Sequence, residues 1–262
     1  MRRFLKIHGI RPSKFKGQHF LLDEDVLRRE VEYAHISGRD VVLEIGAGIG
    51  NLTEKLVSKA RMVIAVEKDP RLCALLKERG WKNLQLIEGD VLKVRFPKFD
   101  KVVSNLPYGI SSPITFKLLD YSWKTSVLTY QKEFAQRIVA EPGTRDYSRL
   151  TVGVQRFCDA ELLEVIPRDA FYPKPKVDSA IIRLKQKRRK GKEDELFLLV
   201  VKACFQHRNK KVRNALEKSS KMLGLEKGSF RNISDPLFEK KVFQCSGDEF
   251  ERITEIVRSL KE

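Results

Sequence analysis

The sequence lacks the residue patterns of metal-binding and thiol-redox proteins. Its four cysteines form no CxxC pair, which argues against a zinc ribbon or a redox motif. Its four histidines are scattered along the chain, so no metal site is expected. Cys73 and Cys204 lie inside apolar helical stretches and are predicted to be buried thiols.

Long apolar segments are also missing. No run of about 18 apolar residues occurs, so no transmembrane helix is predicted. The first twenty residues, MRRFLKIHGIRPSKFKGQHF, are basic but contain no apolar core of the kind that a secretory signal needs. We therefore expect a cytoplasmic protein without a membrane partner. A monomer is expected.

Acidic residues are too few to balance the basic ones. The chain has 52 Lys and Arg against 35 Asp and Glu, which leaves a net charge of +17. An excess of this size favours a polyanionic partner, with nucleic acid as the first candidate and an acidic membrane surface as the second. The remaining alternative is a surface that is charged only for solubility.

What the sequence does contain is a regular alternation of strands and helices. Strands are predicted at DVVLEIG, RMVIAVE, NLQLIEGD, FDKVVSN and KTSVLTYQ. Helical segments are predicted before the first strand and between most of the others. Asp23 and Asp69 are predicted as N-caps of two of these helices. The alternation indicates an α/β fold with a parallel sheet covered on both faces.

The charged stretch KQKRRKGKED (185–194) is the best candidate for a domain boundary. Beyond it, DELFLLVVKACFQHRNKKVRNALEKSSKML and DEFERITEIVRSL have helical periodicity. We therefore predict a large domain over residues 1–187 and a small helical domain over residues 188–262.

Three polar features follow three successive predicted strands. Gly46, Gly48 and Gly50 lie between the first strand and a helix, and their spacing does not meet the GxGxxG dinucleotide fingerprint. Glu67 ends the next strand, where its carboxylate could accept from two ribose hydroxyls. Asp90 ends the third, where it could accept from an adenine amino group. Each feature alone is compatible with an ordinary turn, but together they fit a small adenosine ligand without a pyrophosphate.

The segment NLPY, residues 105–108, ends the fourth strand beside the same cleft. If adenine is the substrate, the Asn105 side-chain oxygen and a backbone carbonyl near Pro107 could hold both N6 protons. The nitrogen lone pair would then point at an electrophile. Tyr108 offers a face for stacking a base taken out of its helix. The alternative is a proline-containing turn with a surface tyrosine.

These segments resemble a known family. EIGAGIG, VEKD, EGD and NLPYGIS are similar to the motifs of S-adenosylmethionine-dependent RNA adenine-N6 methyltransferases. The resemblance continues through KGQHFLLD, YSRLTVGVQRF, FYPKPKVDSAIIRL and FQHRNKKVRNAL, so it covers nearly the whole chain. The last two segments favour the small-subunit ribosomal RNA adenine dimethyltransferases over the antibiotic-resistance methyltransferases of large-subunit rRNA.

The resemblance implies a fold and a reaction. The fold is a Rossmann-like class I methyltransferase domain with a mostly parallel seven-stranded sheet, followed by a small all-α RNA-binding domain. The reaction is dimethylation of N6 on adenines, two adjacent ones, in a loop of small-subunit rRNA during ribosome biogenesis. S-adenosylmethionine would be the methyl donor, and N6 would attack its methyl carbon directly without a metal.

The resemblance also implies roles for individual residues. The cofactor would be contacted by His19, Leu21, Gly46, Gly48, Glu67, Asp90 and Asn105. The target adenine would be contacted by Asn105, Leu106, Pro107, Tyr108 and Phe171. Many relatives carry Asn at the position of His19, so a backbone contact there is an alternative to a side-chain contact. A loop phenylalanine packed on the core is the alternative role for Phe171.

Two basic segments are candidates for phosphate contacts. KQKRRKGK is equally compatible with a solvated linker. In HRNKKVR, the predicted helix would pack one face while its cations point outward; these cations are Arg208, Lys210, Lys211 and Arg213.

Three other classes of protein share some of these features. A non-enzymatic RNA-binding or assembly factor could keep this fold, but the intact glycine loop, acids and NLPY segment argue against it. A DNA adenine methyltransferase would use similar chemistry, but no separate target-recognition domain is evident. An NAD dehydrogenase is disfavoured by the glycine spacing.

Overall fold

The computed structural model describes Leu5 and residues 18–261. The prediction that the N-terminus carries no secretory signal concerns residues that lie mostly outside this part. Lys16 and Gly17 of the KGQHFLLD motif also lie outside it. Within the described part, no helix is both long and apolar enough to cross a membrane. The chain folds into two units, one formed by the described residues up to Ala135 together with Asp159–Arg188, and the other by Gln136–Cys158 and Arg189–Glu262.

The first unit is built on a seven-stranded sheet with strand order β4-β3-β2-β5-β6-β9-β7. Its strands are β2 (Val41–Ile45), β3 (Met62–Glu67), β4 (Leu84–Glu88), β5 (Lys101–Asn105), β6 (Thr125–Gln131), β7 (Cys158–Ile166) and β9 (Ser179–Gln186). The first five of these strands pair in parallel, and β9 runs antiparallel to β6. The sheet confirms the predicted mostly parallel arrangement. Because β2, β3 and β5 are parallel, their carboxyl ends lie along one edge.

The helix α1 (Glu24–Tyr33) precedes β2. As predicted, helices join three pairs of successive parallel strands: α2 (Asn51–Val57) joins β2 to β3, α3 (Pro70–Glu78) joins β3 to β4, and α4 (Ser111–Leu118) joins β5 to β6. The helix α5 (Lys132–Val139) follows β6. The predicted N-caps are confirmed, because the Asp23 carboxylate accepts from two backbone N–H groups of α1 and the Asp69 carboxylate accepts from the Arg71 N–H at 3.1 Å. Leu27, Leu56, Val103 and Ile181 belong to the apolar core of this unit.

A second, two-stranded sheet pairs β1 (Phe20–Leu21) with β8 (Phe171–Tyr172) in antiparallel register. The strand β8 comes from the proline-rich segment FYPKPKV and lies outside the seven-stranded sheet. The pairing places Leu21 opposite Phe171 and Phe20 opposite Tyr172. Two segments about 150 residues apart are thereby held side by side.

The second unit is helical. It contains α6 (Arg149–Gln155), α7 (Asp194–Phe205), α8 (Val212–Lys218), α9 (Ser220–Leu223) and α10 (Gly247–Ser259), whose apolar faces form one core around Phe197, Phe238 and Phe250. The Arg156 side chain packs against this core. Its Nε donates to the fully buried Asp194 carboxylate at 2.9 Å, and its guanidinium lies 4.0 Å from the Phe197 ring centroid.

Two sequence-based expectations differ from this unit. The helix predicted across HRNKKVR is wrong in part, because α7 ends at Phe205 and α8 begins only at Val212, so residues 206–211 lie between two helices. The predicted 1–187 and 188–262 division also differs, since Gln136–Cys158 belongs to the second unit. The reason is visible in Tyr147, a fully buried side chain whose hydroxyl donates to the Cys245 carbonyl at 2.7 Å.

Candidate active site

The first unit contains a cavity of about 290 Å³. Its walls include the turn after β2 and the residues that follow β3, β4 and β5, so it lies at the edge where the parallel strands end. Of the residues predicted for the site, those that line it are His19, Gly46, Gly48, Glu67, Asp90, Asn105, Leu106, Pro107, Tyr108 and Phe171. The structure therefore brings together nearly all of the predicted cofactor and adenine contacts in one place.

Leu21 is the exception. Its side chain is only 3% exposed and packs in the core, where Leu27 and Phe171 are its neighbours in the same cluster, and it does not line the cavity. Its carbonyl accepts from Asn51 Nδ2 at 2.9 Å. The adjacent Phe20 lines the cavity in its stead. Strand alternation explains the difference, because neighbouring side chains on β1 point to opposite faces.

The glycine loop adopts the backbone that its sequence predicts. Gly46, Gly48 and Gly50 all have positive φ, at 74°, 59° and 88°, which L-residues rarely adopt. A Cβ added at Gly48 would lie 3.1 Å from the Phe20 ring, and one at Gly46 would lie 3.4 Å from the Pro107 ring. The wall of the cavity is therefore formed here by backbone atoms, and a side chain at either glycine would crowd the residues that line the cavity.

The Glu67 carboxylate is held rigidly by backbone. Oε2 accepts from the Gly48 N–H at 2.9 Å, and Oε1 accepts from the N–H groups of Lys68 and Asp69 at 2.8 and 2.9 Å. The side chain is 7% exposed. Oε1 already accepts two hydrogen bonds, whereas Oε2 accepts one and retains capacity for another. Glu67 is therefore an acceptor fixed in position at the end of β3.

The Asp90 carboxylate is more accessible and is already paired. Its Oδ1 accepts from the Leu92 N–H at 3.0 Å, and its Oδ2 lies 2.9 Å from the Nζ of the exposed Lys68. The hydrogen bond from Lys68 is the main reason that the pKa of Asp90 lies below its usual range. Asp90 is therefore an ionised acceptor at the cavity, with an exposed cation beside it.

The Asn105 amide is oriented by a buried acid. Its Nδ2 donates to Glu30 Oε2 at 3.1 Å, while its Oδ1 is buried without a hydrogen-bond partner in the described structure. Buried carbonyl oxygens of this kind nearly always have a donor. Asn105 lines the cavity, so a ligand bound there could donate a hydrogen bond to this oxygen.

The peptide groups after Asn105 form a tight turn. The Leu106 N–H donates to the Thr129 carbonyl at 3.3 Å, and the Pro107 carbonyl accepts from the Ile110 N–H at 3.1 Å. Within residues 18–261, no N–H donates to the Leu106 carbonyl. The carbonyl predicted near Pro107 is therefore available on Leu106.

Tyr108 is half-buried, which differs from the exposed ring that the sequence suggested. Its hydroxyl lies 2.6 Å from Ser179 Oγ, and its ring stacks on the His19 ring with centroids 5.6 Å apart. Burial raises the pKa of Tyr108, so the hydroxyl stays protonated. His19 is fixed in turn, because its Nδ1 donates to the Pro173 carbonyl at 2.6 Å. The stacked pair forms one wall of the cavity, and Phe171 contributes to the lining while also packing in the core.

Two buried acids near the site were missed by the sequence analysis. Burial raises the pKa of Glu30 to about 7, although hydrogen bonds from Thr129 and Asn105 oppose the shift. Burial also raises the pKa of Glu44 to about 8, with a hydrogen bond from Thr53 opposing and the charges of Glu30 and Glu67 adding to it. Glu30 lies on the buried face of α1, where the amphipathic pattern predicts an apolar residue, and that mismatch is the signal that could have revealed it.

The predicted basic contacts lie in the second unit and differ from one another. Lys210 is exposed and has no acidic partner among the described residues, whereas Lys211 is exposed and pairs with Glu239 at 2.7 Å. Arg213 does not point outward: its guanidinium donates to the carbonyls of Phe230, Arg231 and Ile233 and to Glu239. Arg208 donates to the Thr144 and Arg145 carbonyls and lies 5.4 Å from the Phe243 ring centroid.

The fold and the site together define a class of protein. A mostly parallel seven-stranded sheet, with a glycine loop after one strand and acids at the ends of the next two, is the architecture of a Rossmann-like class I methyltransferase. Two solved structures share it: a dimethyladenosine transferase from Plasmodium falciparum, with a TM-score of 0.80 and 32% identity over 92% of this chain and 98% of that one, and the 23S rRNA methyltransferase ErmE, with a TM-score of 0.67 and 29% identity over 91% and 99%.

Comparison of sequences narrows the class to a family. The family model described as ribosomal RNA adenine dimethylase matches residues 11–257. A protein of Thermococcus onnurineus, named a probable ribosomal RNA small subunit methyltransferase A, is 54% identical over 94% of this chain and 92% of its own length. A protein of Methanosphaera stadtmanae with the same name is 44% identical over 98% and 97%. The chain belongs to the ribosomal RNA adenine dimethylase family and is an enzyme of that family.

Proposed function

We propose that this protein dimethylates N6 of two adjacent adenines in a loop of small-subunit rRNA, with S-adenosylmethionine as methyl donor, during ribosome assembly in the cytoplasm. The names of the relatives from Thermococcus and Methanosphaera support the small subunit as the substrate. The observation that carries the proposal is the buried Asn105 Oδ1, which lacks a donor and lines the same cavity as Glu67 and Asp90.

The cavity residues fit an adenosine-containing donor. The Gly46 and Gly48 backbone leaves space that side chains would occupy, and Glu67 presents a carboxylate fixed by three backbone N–H groups. Oε2, which accepts only one of these three bonds, is the proposed acceptor for the ribose hydroxyls. Asp90 is the matching acceptor for an adenine amino group, and the exposed Lys68 must leave it before that contact forms.

Bound S-adenosylmethionine supplies a methyl group that is electrophilic because it is attached to a positively charged sulfur. The chain's own groups act on the adenine. Asn105 Oδ1 and the Leu106 carbonyl accept the two N6 protons, which favours a pyramidal nitrogen with its lone pair free for attack. Holding the amine in line is the principal contribution, because orientation removes a large entropic cost. When N6 bonds to the methyl carbon, the carbon–sulfur bond would break and S-adenosylhomocysteine would be released. The methylated nitrogen is then cationic and loses one of its two N6 protons to solvent. The neutral monomethylated N6 keeps one proton and a lone pair, so a second transfer can follow with a second donor molecule.

Aromatic side chains are suited to hold the adenine once it leaves its helix. Tyr108 is anchored through Ser179 and through the His19 ring, so its position is defined before the base arrives. Stacking on such a ring contributes about 1–3 kcal/mol, which offsets part of the few kcal/mol needed to unstack a base. A loop is the preferred target because its bases are already partly unstacked.

The helical unit is proposed to bind RNA through phosphate contacts. Lys210 and Lys211 are its best candidates among the predicted cations, because both are exposed and at most weakly paired. Arg208 and Arg213 are engaged by backbone carbonyls and are proposed to hold the loops that present the lysines.

The test is methylation of small-subunit particles purified from a strain that lacks its own rRNA adenine dimethyltransferase. Nucleosides released from the product are weighed by mass spectrometry. We expect N6,N6-dimethyladenosine with the wild type and almost none with Asn105→Ala, while the exposed Asn232→Ala serves as a matched control with wild-type activity. Thermal unfolding checks that each variant is folded, and light scattering checks the expected monomer.

Each outcome has a distinct meaning. Methylation of large-subunit RNA alone would assign the chain to the reaction named for ErmE. No methylation of any RNA would favour a binding protein. Full activity of a folded Asn105→Ala variant would refute the role of the amide and leave the substrate assignment standing.

A further inference from the structure

The carboxyl group of Glu30 is the feature of the first unit that the proposed reaction does not yet use. It is 1% exposed, lies on α1, and contacts Asn105 at the end of β5 and Thr129 within β6. Oε2 accepts from Asn105 Nδ2 at 3.1 Å, and Oε1 accepts from the hydroxyl of Thr129. A buried carboxyl group is costly, so its presence in an apolar face calls for a function.

The chemistry of the three groups determines how the Asn105 amide is turned. An ionised carboxylate can only accept hydrogen bonds, so both of its neighbours must donate. Thr129 donates through its hydroxyl, and Asn105 can donate only through Nδ2. The amide oxygen must then face the other way, which is where the structure has it, buried and without a partner at the cavity.

We infer that Glu30 is a positioning residue for the methyl transfer: its carboxylate selects the Asn105 rotamer that presents Oδ1, and not the NH₂ group, to the N6 of the target adenine. The inference rests on the proposed function for the identity of the amine. Without this acid, the two faces of the Asn105 amide differ little, and the amide can turn its NH₂ group toward the substrate. In that orientation the Asn105 NH₂ group faces the N6 amino group of adenine. Both groups are donors, so Asn105 cannot accept an N6 proton.

The protonation state of Glu30 then matters. A protonated carboxyl group has a donor of its own, which can bond to Asn105 Oδ1 and remove the acceptor from the cavity. The charged groups that act on Glu30 are Glu164 on β7 and Glu44 on β2, and its hydrogen-bond partners Thr129 and Asn105 are on β6 and β5. Glu164 is itself neutralised by Arg29 at 2.6 Å. The pKa of Glu30, about 7, places its ionisation in the working range of most assays.

Two variants test the inference in single-turnover methylation of the same small-subunit particles. Glu30→Met fills a similar volume with apolar atoms, and we expect its transfer rate to fall about 10- to 100-fold, the effect of losing one oriented hydrogen bond in the transition state. Glu30→Gln offers both a donor and an acceptor, so we expect an intermediate rate. The wild-type rate should rise with pH around 7, and that rise should be absent in Glu30→Gln. Binding of S-adenosylhomocysteine, measured by calorimetry, reports whether the cavity stays intact, and Glu32→Gln, an exposed position on the same helix, is the matched control.

A double-mutant cycle separates positioning from a general structural effect. If Glu30 acts through the amide, Glu30→Met should lower the rate no further in an Asn105→Ala background. A rate for Glu30→Met within twofold of the wild type, or an equal loss in both backgrounds, would overturn the inference.

A direct measurement by NMR covers the case in which the Glu30 variants do not fold. The Asn105 side-chain NH₂ signal, assigned by its absence from the spectrum of Asn105→Ala, should shift with pH with a midpoint near that of Glu30 in the wild type. An NH₂ signal that is insensitive to pH would also overturn the inference. If the wild type methylates no RNA, the proposed function fails, whereas the NH₂ measurement still decides how the amide is oriented.

Discussion

The pH dependence of stability is the sharpest consequence of the buried acid on α1. Burial raises the pKa of Glu30 from 4.5 to about 7, so the folded state holds this proton more tightly than the unfolded chain does. The contribution of Glu30 to stability must therefore fall as pH rises from about 4.5 to about 7, and that loss is complete above this range. One pKa unit corresponds to 1.36 kcal/mol, so the rise in the pKa of Glu30 corresponds to a loss of about 3 kcal/mol in the free energy of unfolding. Glu30 is fully buried, so screening by solvent does not reduce this figure.

Replacing Glu30 with Gln removes the titration and keeps the shape. We expect the free energy of unfolding of the wild type to drop by about 2–3 kcal/mol relative to that of Glu30→Gln between pH 5 and pH 8. Denaturant unfolding at four pH values in this range, followed by a probe in the first unit such as the fluorescence of Trp81 or Trp123, provides the measurement.

The control for this experiment is Glu32→Gln, because the Glu32 side chain is 57% exposed and lies on the same helix. Its stability curve should run parallel to that of the wild type. If the curve of Glu30→Gln also runs parallel to the wild type, Glu30 does not titrate in this range, and the account of its burial is wrong.

Three further predictions concern ligand and RNA binding. Glu67→Gln should weaken S-adenosylmethionine binding about tenfold in calorimetry, since a hydrogen bond to a charged group contributes ~1.5–3 kcal/mol. The Ala variant is unsuitable because it would leave three backbone N–H groups without an acceptor. Tyr108→Phe should keep most of the methylation rate, because stacking needs the ring, with a moderate loss from the unpaired Ser179 hydroxyl, whereas Tyr108→Ala should lose far more. Replacing Lys210 and Lys211 together with Gln should weaken RNA binding and reduce the slope of log affinity against log salt by up to about 2 in filter-binding assays, with cofactor affinity unchanged.

Matched variants keep these predictions open to refutation. Glu88→Gln changes an exposed acid at the end of β4 and should bind the cofactor normally. A double substitution of Lys218 and Lys221, which are exposed in the same unit, removes the same charge elsewhere on the surface. Equal losses of RNA affinity in the two lysine pairs would show that only the net charge matters and would remove the specific role of Lys210 and Lys211.

Much of the first unit could be read from the chain because its signals are local. Strand and helix alternation, the caps at Asp23 and Asp69 and the glycine turn each depend on residues within a few positions of one another. The acids Glu67 and Asp90 could be placed beside the glycines for a related reason: parallel strands end at one edge, so residues at three strand ends are neighbours by topology. The resemblance to a methyltransferase family added the identity of the ligand, which topology does not contain.

The remaining features depend on which distant surfaces meet, and periodicity does not encode that. Glu30 is 75 residues from Asn105 and 99 from Thr129, so only the packing of α1 against the sheet reveals that it orients the amide. The same reason explains Arg213, whose outward direction on an isolated helix is reversed by a loop that offers it three carbonyls. It also explains why Gln136–Cys158 belongs to the helical unit, since the buried hydroxyl of Tyr147 finds its acceptor 98 residues further along the chain. Buried polar groups must be paired wherever a partner can reach them, and that requirement is met in space and not along the sequence.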